Sequence, residues 1–216
     1  MNLKSPVVVK LGGSLLALPD LAERLVTVVT LLLPHKVLII VGGGAAADEV
    51  RRLDDVACLT ATQAHWNAIA AMTFNAETLS CVCGYLPVVS NRIKADMAWQ
   101  KQDAVLLDTK AFLLEEKAQH SRSLPESWNV TSDSIAAFVA IHWPAKQVVF
   151  CKSCDLSSPH IEGLCQDGLL DEWLPNLVIP LQQSDVRLQW LNLRAAMPRL
   201  HPFGGPDASD TPRSQH

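Results

Sequence analysis

Two short apolar runs near the start of the chain each end in a glycine-rich turn. Val7–Leu11 is followed by Gly12-Gly13-Ser14, and Val37–Val41 is followed by Gly42-Gly43-Gly44. Because glycine lacks a Cβ, such turns let backbone N–H groups approach a ligand closely, and a helix that starts there adds the positive end of its dipole. Two such turns at the ends of neighbouring strands would form a cradle for phosphate, with Lys10 supplying a cation.

Neither glycine turn matches the familiar nucleotide-binding motifs. No Gly-Lys-Ser/Thr sequence ends either turn, as the Walker spacing requires, and neither contains the G-x-G-x-x-G dinucleotide pattern. A Gly-Gly pair on its own is usually no more than a turn. It is the pairing of two strand–glycine–helix junctions, with Lys10 in the first, that predicts a phosphate site.

The spacing of apolar residues predicts strands that alternate with helices. We predict strands at Val7–Leu11, Val37–Val41, Leu86–Ser90, Val105–Leu107, Val148–Cys151 and Leu177–Ile179, and helices at Asp20–Leu33, Ala45–Leu53, residues 61 to about 80 and Thr131–His142. This alternation predicts an α/β fold, a three-layer αβα sandwich with a mainly parallel central sheet. Ligands of such sheets bind at the carboxyl ends of the strands, where both glycine turns lie.

The length of 216 residues and the 49% hydrophobic content fit one α/β domain or two closely packed lobes. We assign residues 1–200 to a single domain. We predict that residues 201–216, rich in Pro, Gly, Ser and Asp, form a disordered tail.

Charge and hydropathy limit the classes of partner. The net charge is −4 and no Lys/Arg cluster exceeds two adjacent residues, so nucleic acid is not an expected partner. No long apolar segment follows Lys4, and Pro34-His35-Lys36 divides the apolar stretch Leu25–Val41, so neither a secretory signal nor a membrane span is expected. We expect a cytoplasmic homo-oligomer that acts on a small molecule.

The cysteines favour a reducing compartment. Most of the six lie in apolar surroundings, which predicts reduced, buried thiols: Cys58, Cys81, Cys83, Cys151, Cys154 and Cys165. The spacing of Cys151 and Cys154 also suits zinc, but no second pair follows at zinc-finger distance. We therefore assign no metal ligand.

Two further motifs carry charged residues. Asp133 falls in the first turn of the helix after Thr131, where it would complement the helix dipole or meet a cation. The strand ending at Cys151 delivers Lys152, Ser153 and Asp155 into one loop, where a local salt bridge is the alternative to a ligand site. For Arg51, a solvated position on a helix face is the alternative to a ligand contact. For His65, the alternative is a packed position within its helix.

Taken together, these motifs resemble the amino acid kinase family. The resemblance spans roughly residues 6 to 180 and is carried by Val9–Ser14, Val41–Gly44, Asp48–Arg51, Asp133–Ala136 and Cys151–Asp155. Within the family, the chain is most similar to the aminomethyl-furanmethanol phosphate kinases of methanofuran biosynthesis. This closer resemblance is carried by the segment from Trp128 to Ala137, the Cys-Lys-Ser-x-Asp motif at Cys151–Asp155, and the helix that contains Ala64-His65-Trp66 and Ala71-Met72. Those enzymes convert a phosphomonoester to a diphosphate with ATP.

The resemblance implies a role for each motif. It implies ATP and Mg²⁺ as cofactors, with Mg²⁺ bridging the β- and γ-phosphate oxygens. Lys10, Asp133 and Lys152 would be catalytic, with Asp133 orienting the two lysines. Phosphate or acceptor would be bound by Gly12, Gly13, Ser14, Gly42, Gly43, Gly44 and Arg51, and the nucleotide by Lys152, Ser153 and Asp155.

The chain also departs from the family pattern. Many members carry Gly-Gly-Met-x-x-Lys, whereas the comparable stretch here, Asp167–Glu172, has no lysine. Lys152 is our candidate to replace that cation. The departure leaves two alternatives open: a kinase of the same fold with a carboxylate or alcohol acceptor, and a non-catalytic protein that binds a nucleotide or oxyanion.

Overall fold

A seven-stranded sheet forms the centre of the molecule. The structure is a computed structural model that describes residues 5–205 of the 216. The strands lie in the order β3-β4-β2-β1-β5-β6-β7, and every neighbouring pair is parallel except β6 and β7. Their bounds are β1 Val7–Leu11, β2 Val37–Val41, β3 Val88–Val89, β4 Ala104–Leu107, β5 Gln147–Lys152, β6 Arg187–Asn192 and β7 His201–Phe203.

Helices cover both faces of this sheet. They are α1 Leu21–Leu32, α2 Gly44–Ala57, α3 Ala61–Cys83, α4 Arg92–Ala98, α5 Thr109–His120, α6 Ser132–His142, α7 Ile161–Gln166 and α8 Val178–Gln183. Along β1, Val8 enters the core shared with α5 and α6, whereas Val7 and Val9 enter the core shared with α1. Side chains of a strand alternate between faces, so the buried run of β1 supplies both cores. The predicted three-layer α/β fold is confirmed.

The central strands follow the predicted bounds, but the end of the chain does not. The predicted strand at Leu177–Ile179 is wrong, because these residues lie at the end of a 3₁₀ turn and the start of α8. A three-residue apolar run does not distinguish a strand from a helix, and Ile179 is 65% exposed. The last parallel strand is instead β6, in which Leu188, Trp190 and Leu191 are buried and the other residues are more exposed.

The segment predicted to be a tail begins in the sheet. His201–Phe203 form β7, which pairs antiparallel with β6, and Phe203 is buried against Phe150 and Trp190. The prediction of disorder is therefore wrong for these three residues, because one buried aromatic side chain anchors them. Residues 206–216 lie outside the described part of the chain.

The cysteines are free thiols, but they are less buried than predicted. Cys151 is buried, whereas Cys58 and Cys81 are exposed at or near the ends of α2 and α3. Apolar neighbours in the sequence do not predict burial here, because adjacent residues of a helix point to different sides of it. No helix among residues 5–205 is both long and apolar enough to cross a membrane.

Candidate active site

The ends of three adjacent strands bring the sequence motifs together. Strand β1 pairs with β2 on one side and β5 on the other, so that Leu11 lies between Val41 and Cys151. The turn after Leu11 is therefore the neighbour of the turn after Val41, as the sequence predicts. Lys152 extends the same edge of the sheet, at the carboxyl ends where α/β sheets bind ligands.

The two glycine turns touch each other through their backbones. A Cβ on Gly13 would lie 2.2 Å from the backbone nitrogen of Gly44, and a Cβ on Gly42 would lie 2.7 Å from that of Gly13. Gly44 also has a φ of +48°, a conformation that favours glycine. These glycines are thus required by the close approach of the two turns, independently of any ligand.

Only part of the predicted cradle has amides available for a ligand. Gly13 and Ser14 begin a short 3₁₀ turn, and Gly43 precedes the first residue of α2 without any side-chain cap. The first N–H groups of a helix have no partner within it, so those at the start of α2 suit an anion. Gly13, Ser14, Gly43 and Gly44 all line one pocket.

The amides of the other two glycines complete the sheet instead. The Gly12 N–H donates to the carbonyl of Cys151 at 3.0 Å, and the Gly42 N–H donates to that of Leu11 at 2.8 Å. The prediction that the Gly12 amide holds a phosphoryl oxygen is therefore wrong, and Gly42 likewise shapes the turn rather than offering a donor. Each of these two N–H groups adds one hydrogen bond to the strand pairing, just beyond the apolar run.

A buried carboxylate lies between two lysines below these turns. Lys10 Nζ is 3.0 Å from Asp133 Oδ1, and Lys152 Nζ is 2.9 Å from each carboxylate oxygen. Lys10 and Asp133 are only 5% and 4% exposed. Of the two roles left open for Asp133, the structure thus shows the contact with cations.

The shared burial shifts the protonation of this cluster. Burial alone would raise the pKa of Asp133, but the charges and hydrogen bonds of Lys10 and Lys152 together lower it. Burial lowers the pKa of Lys152 to about 8, and the attraction of Asp133 offsets only part of that effect. The Lys152 ammonium therefore releases its proton as the pH rises through about 8.

Helix α6 owes the placement of Asp133 to a distant residue. The carboxylate of Asp171, 8% exposed, accepts hydrogen bonds from the backbone N–H groups of Thr131 and Ser134 at 2.9 and 2.8 Å, and from both their hydroxyls. It also accepts from the Leu174 N–H at 3.0 Å. Asp171 is thus the N-terminal cap of α6, because the Thr131 side chain makes no such bond.

A pocket of about 270 Å³ opens beside the glycine turns. Arg51, His65 and Trp128 line it together with apolar side chains of α3 and α6, namely Ile69, Met72 and Ile135. His65 is 5% exposed and burial lowers its pKa, so it is a packed, neutral side chain that also contributes to the pocket wall. Arg51 reaches the pocket from α2, with its side chain 53% exposed.

A family model matches this part of the chain. Residues 5–156, which include both glycine turns, Asp133 and Lys152, match the model of the amino acid kinase family. The chain belongs to this family. No protein with a curated description matches its sequence significantly.

Solved structures of uridylate kinases share the fold of this chain. The uridylate kinase of Archaeoglobus fulgidus superposes with a TM-score of 0.60 at 17% identity, over 85% of this chain and 88% of that one. The UMP kinase of Ureaplasma parvum gives 0.59 at 16% identity, over 89% and 91%. The UMP kinase of Bacillus anthracis gives 0.61 at 13% identity, over 89% and 88%.

The remaining predicted residues lie on the β5 side of the site. Asp155 Oδ1 accepts a hydrogen bond from Asn192 Nδ2 at 2.8 Å, which ties the loop after β5 to the end of β6. Ser153 is half-buried in the same loop. Among the described residues Lys152 pairs with Asp133 rather than with Asp155, so the local salt bridge considered from the sequence does not form.

The stretch without the family lysine packs against Lys152. Lys152 Nζ donates to the Leu169 carbonyl, and Asp171 caps α6 two residues later. The sequence reveals the missing lysine but not the role of Asp171, because its partners are separated from it by about forty residues. Buried acidic residues are rare unless paired, and an aspartate between two apolar stretches is the one signal that points to it.

Proposed function

We propose that this member of the amino acid kinase family transfers a phosphoryl group from ATP to a small phosphomonoester and forms a diphosphate. The observation that carries the proposal is the buried Asp133 between Lys10 and Lys152, next to a pocket whose floor is the paired glycine turns. Membership in a family of kinases supports phosphoryl transfer to a small acceptor.

The charges suit the transition state of phosphoryl transfer. In that state negative charge spreads over the equatorial oxygens, so catalysis depends on positioning and on preorganised positive charge. Two ammonium groups around one carboxylate leave a net positive charge, which we assign to the transferring group. An acceptor oxygen attacks the γ-phosphorus, the bond to the β-phosphate oxygen breaks, and ADP departs with that bond's electron pair.

The nucleotide would lie on the β5 side, near Lys152, Ser153 and Asp155. Among residues 5–205 no cluster of His, Cys, Asp or Glu is arranged to hold a metal ion, and the two lysines occupy the Asp133 carboxylate. No described carboxylate is therefore assigned to Mg²⁺, which would be held through its waters and the substrate phosphates. When bound, Mg²⁺ would neutralise charge on the β- and γ-oxygens.

A phosphomonoester acceptor is supported by the lining of the pocket. The α2 N-terminus and Arg51 offer donors for a phosphate dianion. Such an acceptor is already ionised near neutral pH and needs no general base, and burial lowers the pKa of His65, which makes its imidazole a weaker base. Uridine monophosphate, after which the similar kinases of Ureaplasma parvum and Bacillus anthracis are named, is also a phosphomonoester. The motif resemblance favours an aminated furan phosphate within this class.

Phosphorus NMR of reaction mixtures tests the proposal. The protein is incubated with ATP, Mg²⁺ and a panel containing the aminated furan phosphate, uridine monophosphate, carboxylates and alcohols, with Lys10→Ala as the inactive control. We expect diphosphate signals with a phosphomonoester acceptor. An acyl phosphate product would instead identify a carboxylate acceptor, and a new phosphomonoester an alcohol. Nucleotide binding without turnover of any acceptor would support the non-catalytic alternative.

A further inference from the structure

Trp128 and Arg51 meet at the rim of the pocket from two different elements. Arg51 projects from the second turn of α2, and Trp128 lies in the connection between α5 and α6. The guanidinium carbon of Arg51 is 4.6 Å from the centre of the indole ring, within the range of a cation–π contact. Both side chains line the pocket.

The indole is held by a second contact with the same helix. Its Nε1–H donates to Asp54 Oδ2 at 2.8 Å. Asp54 follows Arg51 by three residues, so the two project from one face of α2. Helix α2 therefore holds Trp128 by the edge of its ring and covers the ring face with a cation, which fixes the plane of the indole.

The carboxylate nearest to Arg51 constrains it less than the indole does. Arg51 Nη1 is 3.7 Å from Asp48 Oδ1, and the two side chains are 53% and 74% exposed. An ion pair of that length and exposure contributes little. The guanidinium carbon lies over the indole ring, and a cation–π contact of this kind uses none of the N–H groups in a hydrogen bond. Within residues 5–205 those N–H groups make no hydrogen bond, which leaves them available to an anion.

The segment that carries Trp128 is itself fastened on both sides. Before it, Glu126 accepts hydrogen bonds from Thr62, Trp66 and Lys117 at 2.7, 2.9 and 2.7 Å. After it, Thr131 is held by Asp171. The indole therefore presents a fixed surface, and an arginine stacked on it loses less conformational freedom when it binds a ligand.

We propose that Trp128 is a positioning residue that holds the Arg51 guanidinium over the pocket for the anionic group of the acceptor. The proposal rests on the proposed function only in taking that group to be a phosphate. Trp128 then determines how tightly the pocket holds a phosphate-bearing acceptor. It does not act on the reacting atoms, so it changes acceptor affinity and not the rate of the chemical step.

Calorimetric titration with inorganic phosphate tests this role without requiring turnover. The variants are Trp128→Leu, which removes the ring, Trp128→Phe, which keeps a ring face, Arg51→Met, and the double variant. Trp66→Phe is the matched control, because it removes an indole–carboxylate bond of the same segment that does not involve Arg51. Thermal unfolding checks that each variant is folded, and Asp54→Ala provides a second way to release the indole if Trp128→Leu does not fold.

We expect Trp128→Leu to weaken phosphate binding about fivefold and Arg51→Met about tenfold, with no further loss in the double variant. Trp128→Phe and Trp66→Phe should stay within about twofold of the parent chain. In the acceptor reaction, Trp128→Leu should raise KM and leave kcat unchanged. A loss in Arg51→Met without one in Trp128→Leu, or additive losses, would overturn this inference while leaving the proposed function intact. Unchanged binding in both single variants would overturn it together with the phosphate acceptor.

Discussion

At the scale of single residues, one carboxylate balances two ammonium groups in a place almost closed to solvent. Burying a charge is costly unless it is paired, so Asp133 makes the burial of Lys10 and Lys152 tolerable. One positive charge remains in excess, because a single carboxylate cannot neutralise two lysines. This excess positive charge would be neutralised by a negatively charged phosphoryl group bound beside it.

Replacing Lys10 tests whether that excess charge acts on the reaction. We expect Lys10→Ala to lower turnover by about a hundredfold or more, the scale seen when a preorganised charge on a transition state is lost. Steady-state kinetics with the acceptor identified by phosphorus NMR measure the effect. Lys36→Ala is the control, since Lys36 pairs with Asp103 away from the pocket. Near-normal turnover of Lys10→Ala would remove Lys10 from the mechanism.

The lowered pKa of Lys152 predicts a decline of activity in alkaline solution. As the pH rises through about 8, the free protein loses the Lys152 proton, so kcat/KM should fall. Bound nucleotide phosphates favour the ammonium, so kcat should fall only at a higher pH. In Lys152→Arg the decline of kcat/KM should move upward, because a guanidinium keeps its charge. Parallel pH profiles of the parent chain and this variant would contradict the assignment.

At the scale of elements, helix α6 depends on a cap supplied from outside its own sequence. Asp171 binds the first turn of α6 and also the N–H of Leu174, so one side chain joins two segments. Asp133 is the second residue of that first turn, and its position therefore follows from the cap. Burial and the charge of Asp133 raise the pKa of Asp171, while the hydrogen bonds from Ser134 and Thr131 oppose that rise.

Removing the cap should weaken the fold and the site together. We expect Asp171→Ala to lower the free energy of unfolding by about 3 kcal/mol, because buried donors of α6 lose their acceptor. Turnover per folded molecule should also fall. The control is Asp108→Ala, which removes the N-terminal cap of α5, where the Asp108 carboxylate accepts a hydrogen bond from the Ala111 N–H. This variant should lower the free energy of unfolding by about 1 kcal/mol without affecting turnover. Urea unfolding and kinetics separate the two effects, and equal turnover in both variants would refute the link.

Patterns of neighbouring residues explain what the sequence predicts of these elements. Strands β1 and β2 agree with their predicted bounds because each is a fully buried run ended by glycine. The family resemblance implies that Asp133 orients Lys152, and the two meet because α6 begins and β5 ends at the same edge of a parallel sheet. The role of Asp171 escapes prediction, since a cap donated from another segment leaves no local spacing. The partner of the Gly12 N–H also escapes prediction, because it depends on the register of β1 with β5, which the sequence does not show.

At the scale of the whole molecule, an apolar surface lies on the outer side of α2 and α3. Leu53 and Phe74, 45% and 59% exposed, line a groove of about 440 Å³ between these helices. Val56 and Val82, 74% and 69% exposed, lie on the same two helices. Several large exposed apolar side chains on adjacent helices favour association over a solvated face.

We therefore keep the prediction of a homo-oligomer and place its contact on α2 and α3. Light scattering should give a mass that is a multiple of the 23.6 kDa chain. Phe74→Glu should reduce it to that of one chain, because a carboxylate in an apolar contact is costly to desolvate. Ile179→Glu, at an exposed apolar residue of α8, is the matched control and should leave the mass unchanged. A parent chain that is already monomeric would contradict this prediction.

The position of β1 at the middle of the sheet has a consequence for the order in which the molecule can assemble. Its neighbours are β2, which follows closely in the chain, and β5, which pairs Lys10 with Phe150. During synthesis both glycine turns leave the ribosome long before β5 is made. Until then, the edge of β1 that pairs with β5 has no partner strand. Contacts between residues so distant in the chain form slowly. A nascent chain that ends before Gln147 therefore carries both glycine turns and Asp133, yet it lacks β5 and with it Lys152.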